Sequence, residues 1–274
     1  MASRSGGAVL GSPISHSLSP VLHRAAYAAL GLDGWDYRAV ECDEAALPDT
    51  LRRLADERLA GVSLTMPLKR AVLPLLADHD DTTTAVGAAN TVVFADDGWH
   101  GANTDVPGMV AALGRAGLVT LRDADAWILG AGATAAAAIV ALARAGATSV
   151  RVLARRPAVA EGLRPVADRA GIALEILPWG GTDDWQRASL VVATAPAGAT
   201  DGLAGALRRA DGLLFDVVYA PWPTPLAAAW SAAGGPVVGG LELLVEQAAE
   251  QIRLMTGQTA PVDAMRSAGL ATLG

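Results

Sequence analysis

Apolar runs of strand length alternate with stretches of helical period along most of the chain, the rhythm of a mostly parallel sheet covered by helices. The first series places strands at residues 8–10, 37–40 and 61–64, with helices over 20–30 and 47–54 between them. A second series opens near Asp123 with a strand over 126–129, a glycine-rich turn and a helix over 134–145. It continues with a strand over 150–153, a helix over 158–170, and strands over 174–177, 190–193 and 213–217. A helix over 106–116 joins the two series. After Gly239-Gly240, residues 241–255 and 262–268 read as two closing helices that return to the first domain. The predicted fold is therefore α/β with two domains. Residues 1–105, completed by 241–274, form an α/β substrate domain with a mostly parallel sheet; residues 106–240 form a Rossmann-type dinucleotide domain.

The turn after the strand over 126–129 carries the clearest local chemistry. Gly130-Ala131-Gly132-Ala133-Thr134-Ala135 follows an apolar strand and opens an Ala-rich helix, the context that a dinucleotide fingerprint requires. Two glycines let the backbone approach a pyrophosphate, whose charge then lies at the helix N-terminus. A small-residue strand-to-helix turn can also be purely structural. The next strand bears on the choice of cofactor, because an NAD site usually ends it with a carboxylate for the ribose hydroxyls. Here it runs into Ala154-Arg155-Arg156, which offers two guanidiniums to a 2′-phosphate and no acid, so NADP is expected. The competing reading is a solvated basic pair ahead of Pro157.

Composition narrows the partners. With 52% hydrophobic residues in 274, the chain can fill sizeable cores and is not intrinsically disordered. A net charge of −7 leaves no basic surplus for nucleic acid or an anionic membrane, so neither is an expected partner. Cys42 is the lone cysteine, which excludes an intramolecular disulfide and a cysteine metal cage. Residues 1–7 lack the apolar core of a signal peptide, and the most apolar stretch, 131–143, is too short to span a bilayer, so a cytoplasmic protein is expected. One anomaly stands out: of 21 Lys and Arg residues, only Lys69 is a lysine. An amine can donate a proton near neutral pH where its surroundings allow it; a guanidinium cannot.

The first domain opens with Gly11-Ser12-Pro13-Ile14-Ser15-His16-Ser17-Leu18-Ser19-Pro20, then His23. Ser19 before Pro20 has the form of a helix N-cap. Ser17 and Ser19 beside a helix start would equally receive a small carboxylate. His16 and His23 lack a third metal ligand, which favours a hydrogen-bonded structural histidine and no metal site. Thr65 could cap a helix after Pro67, Asp105 could cap the one starting near Val106, and Asn90 could be a buried structural amide.

This opening stretch resembles the start of shikimate dehydrogenases, and further motifs extend the resemblance along nearly the whole chain. Gly61-Val62-Ser63-Leu64-Thr65-Met66-Pro67-Leu68-Lys69 is similar to the family's G-x-N-V-T-x-P-x-K; Gly87-Ala88-Ala89-Asn90-Thr91 and Gly101-Ala102-Asn103-Thr104-Asp105 match G-A-x-N-T and G-x-N-T-D. Asp216 to Pro221, with Thr224-Pro225-Leu226, resembles D-x-x-Y-x-P-x-x-T-P-L, and Gln247 occupies the late glutamine. The resemblance implies reversible reduction of 3-dehydroshikimate to shikimate with NADPH, within aromatic amino-acid biosynthesis, by a monomer or homodimer.

It also implies roles by position. Lys69 and Asp105 would be catalytic; Ser17 and Ser19 would hold the substrate carboxylate; Thr65, Asn90, Asp105 and Gln247 would bind ring hydroxyls, and Tyr219 would also contact substrate. Gly130, Ala131, Gly132, Ala133, Thr134, Ala154, Arg155, Arg156, Val217 and Gly240 would bind NADP, with Asp81 as a further contact. The chain departs from the family pattern at Ser63 for Asn, at Ala133 and Ala135 in a loop often richer in glycine, at Ala154-Arg155-Arg156 for N-R-T, at Val192-Ala193-Thr194 for N-A-T, and at Leu243 for Met. Two rival readings are an NAD-dependent quinate/shikimate dehydrogenase and a non-catalytic NADP sensor on the same fold.

Overall fold

The helix Ser19–Ala29 buries Leu22, Ala26 and Tyr27 on one face, and the helix Leu47–Asp56 buries Leu47, Leu51 and Leu54 at helical spacing, so each covers a sheet with an apolar stripe. The computed structural model describes residues 4–274; residues 1–3, part of the stretch read above for targeting, lie outside the described residues. In chain order the first elements are β1 (Gly7–Gly11), α1 (Ser19–Ala29), β2 (Tyr37–Glu41), α2 (Leu47–Asp56), β3 (Gly61–Leu64), α3 (Leu68–Ala71), β4 (Asp78–His79), α4 (Asp81–Val86), β5 (Thr91–Ala95), β6 (Gly98–Ala102) and α5 (Asp105–Arg115). There follow β7 (Ala126–Leu129), α6 (Ala133–Arg144), β8 (Ser149–Ala154), α7 (Pro157–Ala160), α8 (Arg164–Ala170), β9 (Ala173–Pro178), β10 (Leu190–Ala193), α9 (Asp201–Ala206), β11 (Leu213–Asp216), α10 (Pro225–Ala232), β12 (Val237–Val238), α11 (Gly240–Thr256) and α12 (Val262–Leu273).

The chain forms two compact units. One contains the residues up to Gly108 together with Leu244–Thr272 and Gly274; the other contains Met109–Leu243 and Leu273. Most of both C-terminal helices thus belongs to the first unit.

The sheet of the first unit has the order β2-β1-β3-β5-β6-β4. Strands β1, β2 and β3 are parallel, whereas β5 runs antiparallel to both β3 and β6. This hairpin is absent from the sequence reading. Its run Thr91–Ala95 reaches Asp96-Asp97-Gly98, a turn signal in which Gly98 has φ 142° and leaves room for Ala77. Leu10, Val62, Leu64, Val92 and Phe94 meet the α2 leucines in the core.

The second unit has the all-parallel order β12-β11-β10-β7-β8-β9, the doubly wound arrangement expected of a dinucleotide domain. Trp127, Trp185 and Trp230 fill its core, the last two stacked at 5.9 Å. The single helix expected over 158–170 is instead α7, a tight turn over Glu161–Leu163, and α8. Pro165 accounts for the break, since its ring obstructs a preceding helical turn and its nitrogen has no proton to donate.

His23 takes the structural role predicted for it. It is fully buried, stacks on Tyr37 at 3.8 Å, and donates from Nδ1 to the Ser19 carbonyl at 2.9 Å, while Nε2 has no partner among the described residues. Burial pushes its pKa from 6.5 down to about 4. The unfolded chain therefore takes up this proton first, and the stability contributed by neutral His23 is present above pH 6.5 and lost as pH falls towards 4. Between pH 7.5 and 5 the native state should lose about 2 kcal/mol more than a His23→Phe variant does. Urea unfolding of both proteins at the two pH values checks this, and parallel losses would refute it.

Candidate active site

The catalytic candidates lie on the first unit, Lys69 in α3 after β3 and Asp105 at the start of α5 after β6. β3 delivers Thr65 at its C-terminal end, and the Thr65 amide donates to the Leu10 carbonyl at 2.9 Å, tying it to β1. Gly11 makes this approach feasible, because a Cβ there would stand 2.4 Å from the Thr65 methyl. Ser12 N–H then donates to the Met66 carbonyl at 3.0 Å, so the serine-rich segment starts beside Thr65.

Ser19 is not an N-cap. Leu18 occupies that position, no side chain caps α1, and Ser19 begins the helix with its hydroxyl left out of the capping. The Ser17 hydroxyl oxygen instead accepts the Ser19 amide at 3.3 Å, which leaves the Ser17 proton to donate elsewhere. Thr65 does not cap either: Pro67 holds the N-cap position of α3, and no side chain caps that helix. Nor does Asp105 cap its helix: the Val106 amide donates to Asn103 Oδ1 at 3.4 Å.

Freed from capping, Asp105 enters a buried polar cluster. Lys69 Nζ donates to Asp105 Oδ2 at 2.5 Å, with only 15% and 7% of the two side chains exposed. Asn90 Nδ2 donates to the other carboxylate oxygen, Oδ1, at 2.8 Å. Asn90 Oδ1 accepts the Thr104 amide at 2.8 Å, and Asn90 Nδ2 also donates to the Thr104 hydroxyl at 2.9 Å. Gln247 Oε1 lies 3.4 Å from both the Thr104 hydroxyl and Asn90 Nδ2. Gly108 admits α11 to this place, since a Cβ there would sit 2.7 Å from the Gln247 main-chain nitrogen. Lys69, Asn90, Asp105 and Gln247, separated in sequence, are thus brought into one hydrogen-bonded group. It pairs an ammonium and a carboxylate with amide groups, the set needed to bind hydroxyls and place a proton donor.

The cofactor candidates other than Asp81 lie on the second unit. Gly130 follows β7 with φ 120°, and a Cβ there would meet Thr194 Oγ1 at 2.8 Å. Gly132 is the N-cap of α6 with open space around it, and no side chain takes up the first-turn amides there. Ala131, Ala133 and Thr134 complete that turn, so a free helix start faces whatever binds there, as a pyrophosphate would need. Ala154 ends β8, and Arg155 and Arg156 follow it exposed, with no ion pair among the described residues. Val217 and Gly240 pack together: a Cβ on Gly240 would be 2.1 Å from the Val217 carbonyl oxygen.

The loop after β11 carries Val217 and half-buried Tyr219. Asp216 secures it, accepting the Val218 amide at 3.1 Å and the Thr224 hydroxyl at 2.6 Å. Burial raises the Asp216 carboxyl above its ordinary pKa, and the Thr224 hydroxyl opposes that rise. Asp81 is exposed in the first turn of α4 on the first unit, where Asp80, not Asp81, caps the helix.

A family profile described as "Shikimate dehydrogenase substrate binding domain" matches residues 9–92, and one described as "Shikimate 5'-dehydrogenase C-terminal domain" matches residues 240–268. A shikimate dehydrogenase (NADP(+)) from Methanothrix thermoacetophila is 38% identical over 272 residues, covering 97% of each chain. The chain belongs to the shikimate dehydrogenase family. The shikimate dehydrogenase of Mycobacterium tuberculosis has a similar structure, with a TM-score of 0.87 and 42% identity over 97% of this chain and 99% of that one. So does the Thermus thermophilus enzyme, solved in complex with NADP(H) and shikimate, with a TM-score of 0.85 and 34% identity over 98% of this chain and 100% of that one.

The chain accommodates its departures from the family pattern locally. Ser63 hydrogen-bonds Tyr37, so its hydroxyl has a buried partner where the family usually has an amide. Val192 is fully buried in β10, where an apolar side chain suits the core. Sequence reasoning reaches Asn90 and Asp105 but misses Thr104, Thr91 and Gln251, all buried around Asn90. The motif G-x-N-T-D contains Thr104 and so carried a signal for it. Gln251 has none, because a polar residue on an amphipathic helix reads as a solvated position.

Proposed function

We infer that this chain catalyses the reversible NADPH-dependent reduction of 3-dehydroshikimate to shikimate, in the shikimate pathway of aromatic amino-acid biosynthesis. The observation that carries the reading is the buried Lys69–Asp105 pair at 2.5 Å, held within the cluster of Asn90, Thr104 and Gln247. Residues 1–105 with 241–274 bind substrate, and residues 106–240 bind NADP. Ser17 and Ser19 take the carboxylate. Thr65, Asn90, Asp105 and Gln247 take the ring hydroxyls, and Tyr219 contacts the substrate.

NADPH, when bound, supplies the hydride that reduces the ketone carbon. Lys69 stands with an N–H for the ketone oxygen, stabilising the negative charge that develops there and giving it a proton. Asp105 Oδ2 aims that ammonium, and Asn90 aims the carboxylate. The turn from Gly130 to Thr134 offers main-chain amides to the pyrophosphate. Arg155 and Arg156, directly after Ala154, would hold the adenosine 2′-phosphate by charge, and the closely packed Val217 and Gly240 would line the cofactor site, with Asp81 as a further contact. No helix among the described residues is long and apolar enough to cross a membrane. We further infer a cytoplasmic enzyme acting as a monomer or homodimer.

Mixing enzyme with shikimate and NADP should raise the nicotinamide absorbance. Turnover with NADP and shikimate should exceed that with NAD or with quinate. Dominant activity on NAD with quinate would replace this reading by a catabolic one, and tight NADPH binding without turnover would replace it by a sensor.

A further inference from the structure

Gln251 is 1% exposed on α11, a position where an apolar side chain would ordinarily pack, and its Oε1 has no hydrogen-bond partner among the described residues. A buried acceptor left unpaired costs about 1–3 kcal/mol, so stability gives no reason for a glutamine here. Its other end is engaged. Nε2 donates to the hydroxyl oxygen of Thr91 at 3.1 Å and lies 3.5 Å from the Asn90 main-chain carbonyl. An oxygen in that position would face the carbonyl, so the glutamine amide has one favourable orientation.

The consequence runs inward. With its oxygen taking the Gln251 N–H, the fully buried Thr91 hydroxyl turns its proton to Asn90 Oδ1 at 3.0 Å. Asn90 Oδ1 then accepts from both Thr91 and the Thr104 amide, and its NH2 must face Asp105. A half-turn of the Asn90 amide would set NH2 against the Thr104 N–H and set the carbonyl against the Asp105 carboxylate. Donors therefore point one way along Gln251, Thr91, Asn90 and Asp105, ending on the carboxylate that holds Lys69.

We propose that Gln251 and Thr91 are positioning residues for the reduction: together they lock the Asn90 amide towards Asp105, and through it the carboxylate that aims the Lys69 ammonium. No proton moves along this chain; it fixes orientation. The proposal rests on the functional reading above.

Steady-state kinetics with shikimate and NADP, alongside thermal unfolding, test it in wild type, Gln251→Met, Thr91→Val, Thr91→Ser and the Gln251→Met/Thr91→Val double variant. Losing one orienting hydrogen bond should lower kcat about fivefold in Gln251→Met and about tenfold in Thr91→Val. KM for NADP should stay within about twofold, because the network touches only the first unit. Thr91→Ser keeps the hydroxyl and should restore most of kcat. The Tm of Gln251→Met should equal or exceed that of wild type, because the variant also removes the orphaned Oε1. Thr91→Val strands the Gln251 N–H and should lower Tm; adding Gln251→Met should recover Tm without recovering kcat. The double variant should be no more than about twofold slower than Thr91→Val, since both changes act through the same bond.

The proposal fails if Gln251→Met and Thr91→Val both turn over within about twofold of wild type, or if their losses multiply in the double variant. The Thr91 pair decides the matter should Gln251→Met not fold: equal kcat in the Val and Ser variants overturns it. Absence of wild-type shikimate turnover overturns both this proposal and the functional reading, whereas normal wild-type turnover with silent variants overturns the positioning role alone.

Discussion

Lys69→Arg is expected to lower kcat for shikimate oxidation by about a thousandfold while leaving the fold and the positive charge in place. The side chain is mostly buried, and its ammonium meets one carboxylate oxygen at 2.5 Å while Asn90 occupies the other. A guanidinium would still pair with Asp105, so Tm and KM for NADP should change little. Its planar fork is longer than an ammonium, however, and delocalises the charge away from any one N–H. It also remains protonated throughout the working pH range, so it cannot take and return the proton that a reversible reaction requires. Turnover within about tenfold of wild type, with Tm unchanged, would remove Lys69 from the chemistry. The bias of composition makes the test clean: no other lysine in the chain can substitute for the one removed.

The layered architecture was legible because it is written in periodicity. Leu47, Leu51 and Leu54 announce a covered helix face, and Gly130-Ala131-Gly132 announces the strand-to-helix turn. The β5–β6 hairpin was harder, since its apolar run lies between two polar motifs that draw attention to chemistry first. Pro165 was a visible breaker inside a pattern that otherwise reads as one helix. The candidate site residues came from motif order. Their grouping did not, because it depends on tertiary packing.

Asp105 illustrates the difference. Near a predicted helix start it reads equally as a cap, and only the fold shows that Asn103 takes that part and releases the carboxylate to Lys69. Gln251 lies at the far limit of legibility: its partner Thr91 is 160 positions away, and local pattern assigns it to solvent.

Arg155→Ala should raise KM for NADP about thirtyfold while leaving KM for shikimate within about twofold, because a charge-assisted bond to a phosphate is worth about 1.5–3 kcal/mol. The geometry that favours this is the absence of competition. Arg155 and Arg156 are exposed directly after β8 and neither forms an ion pair among the described residues, whereas Arg151 on the same strand is already engaged by Asp125 and Glu175. A guanidinium free of carboxylates loses no protein partner when it takes a dianion. NAD has no 2′-phosphate, so its KM should be indifferent to the substitution, and the preference for NADP over NAD should shrink by the same factor. Arg156 precedes Pro157 at the start of α7, and its removal should produce a smaller change of the same kind. The paired measurement separates phosphate recognition from general damage. If KM rises equally for both cofactors, the loop was disturbed; if neither moves, the 2′-phosphate is bound elsewhere.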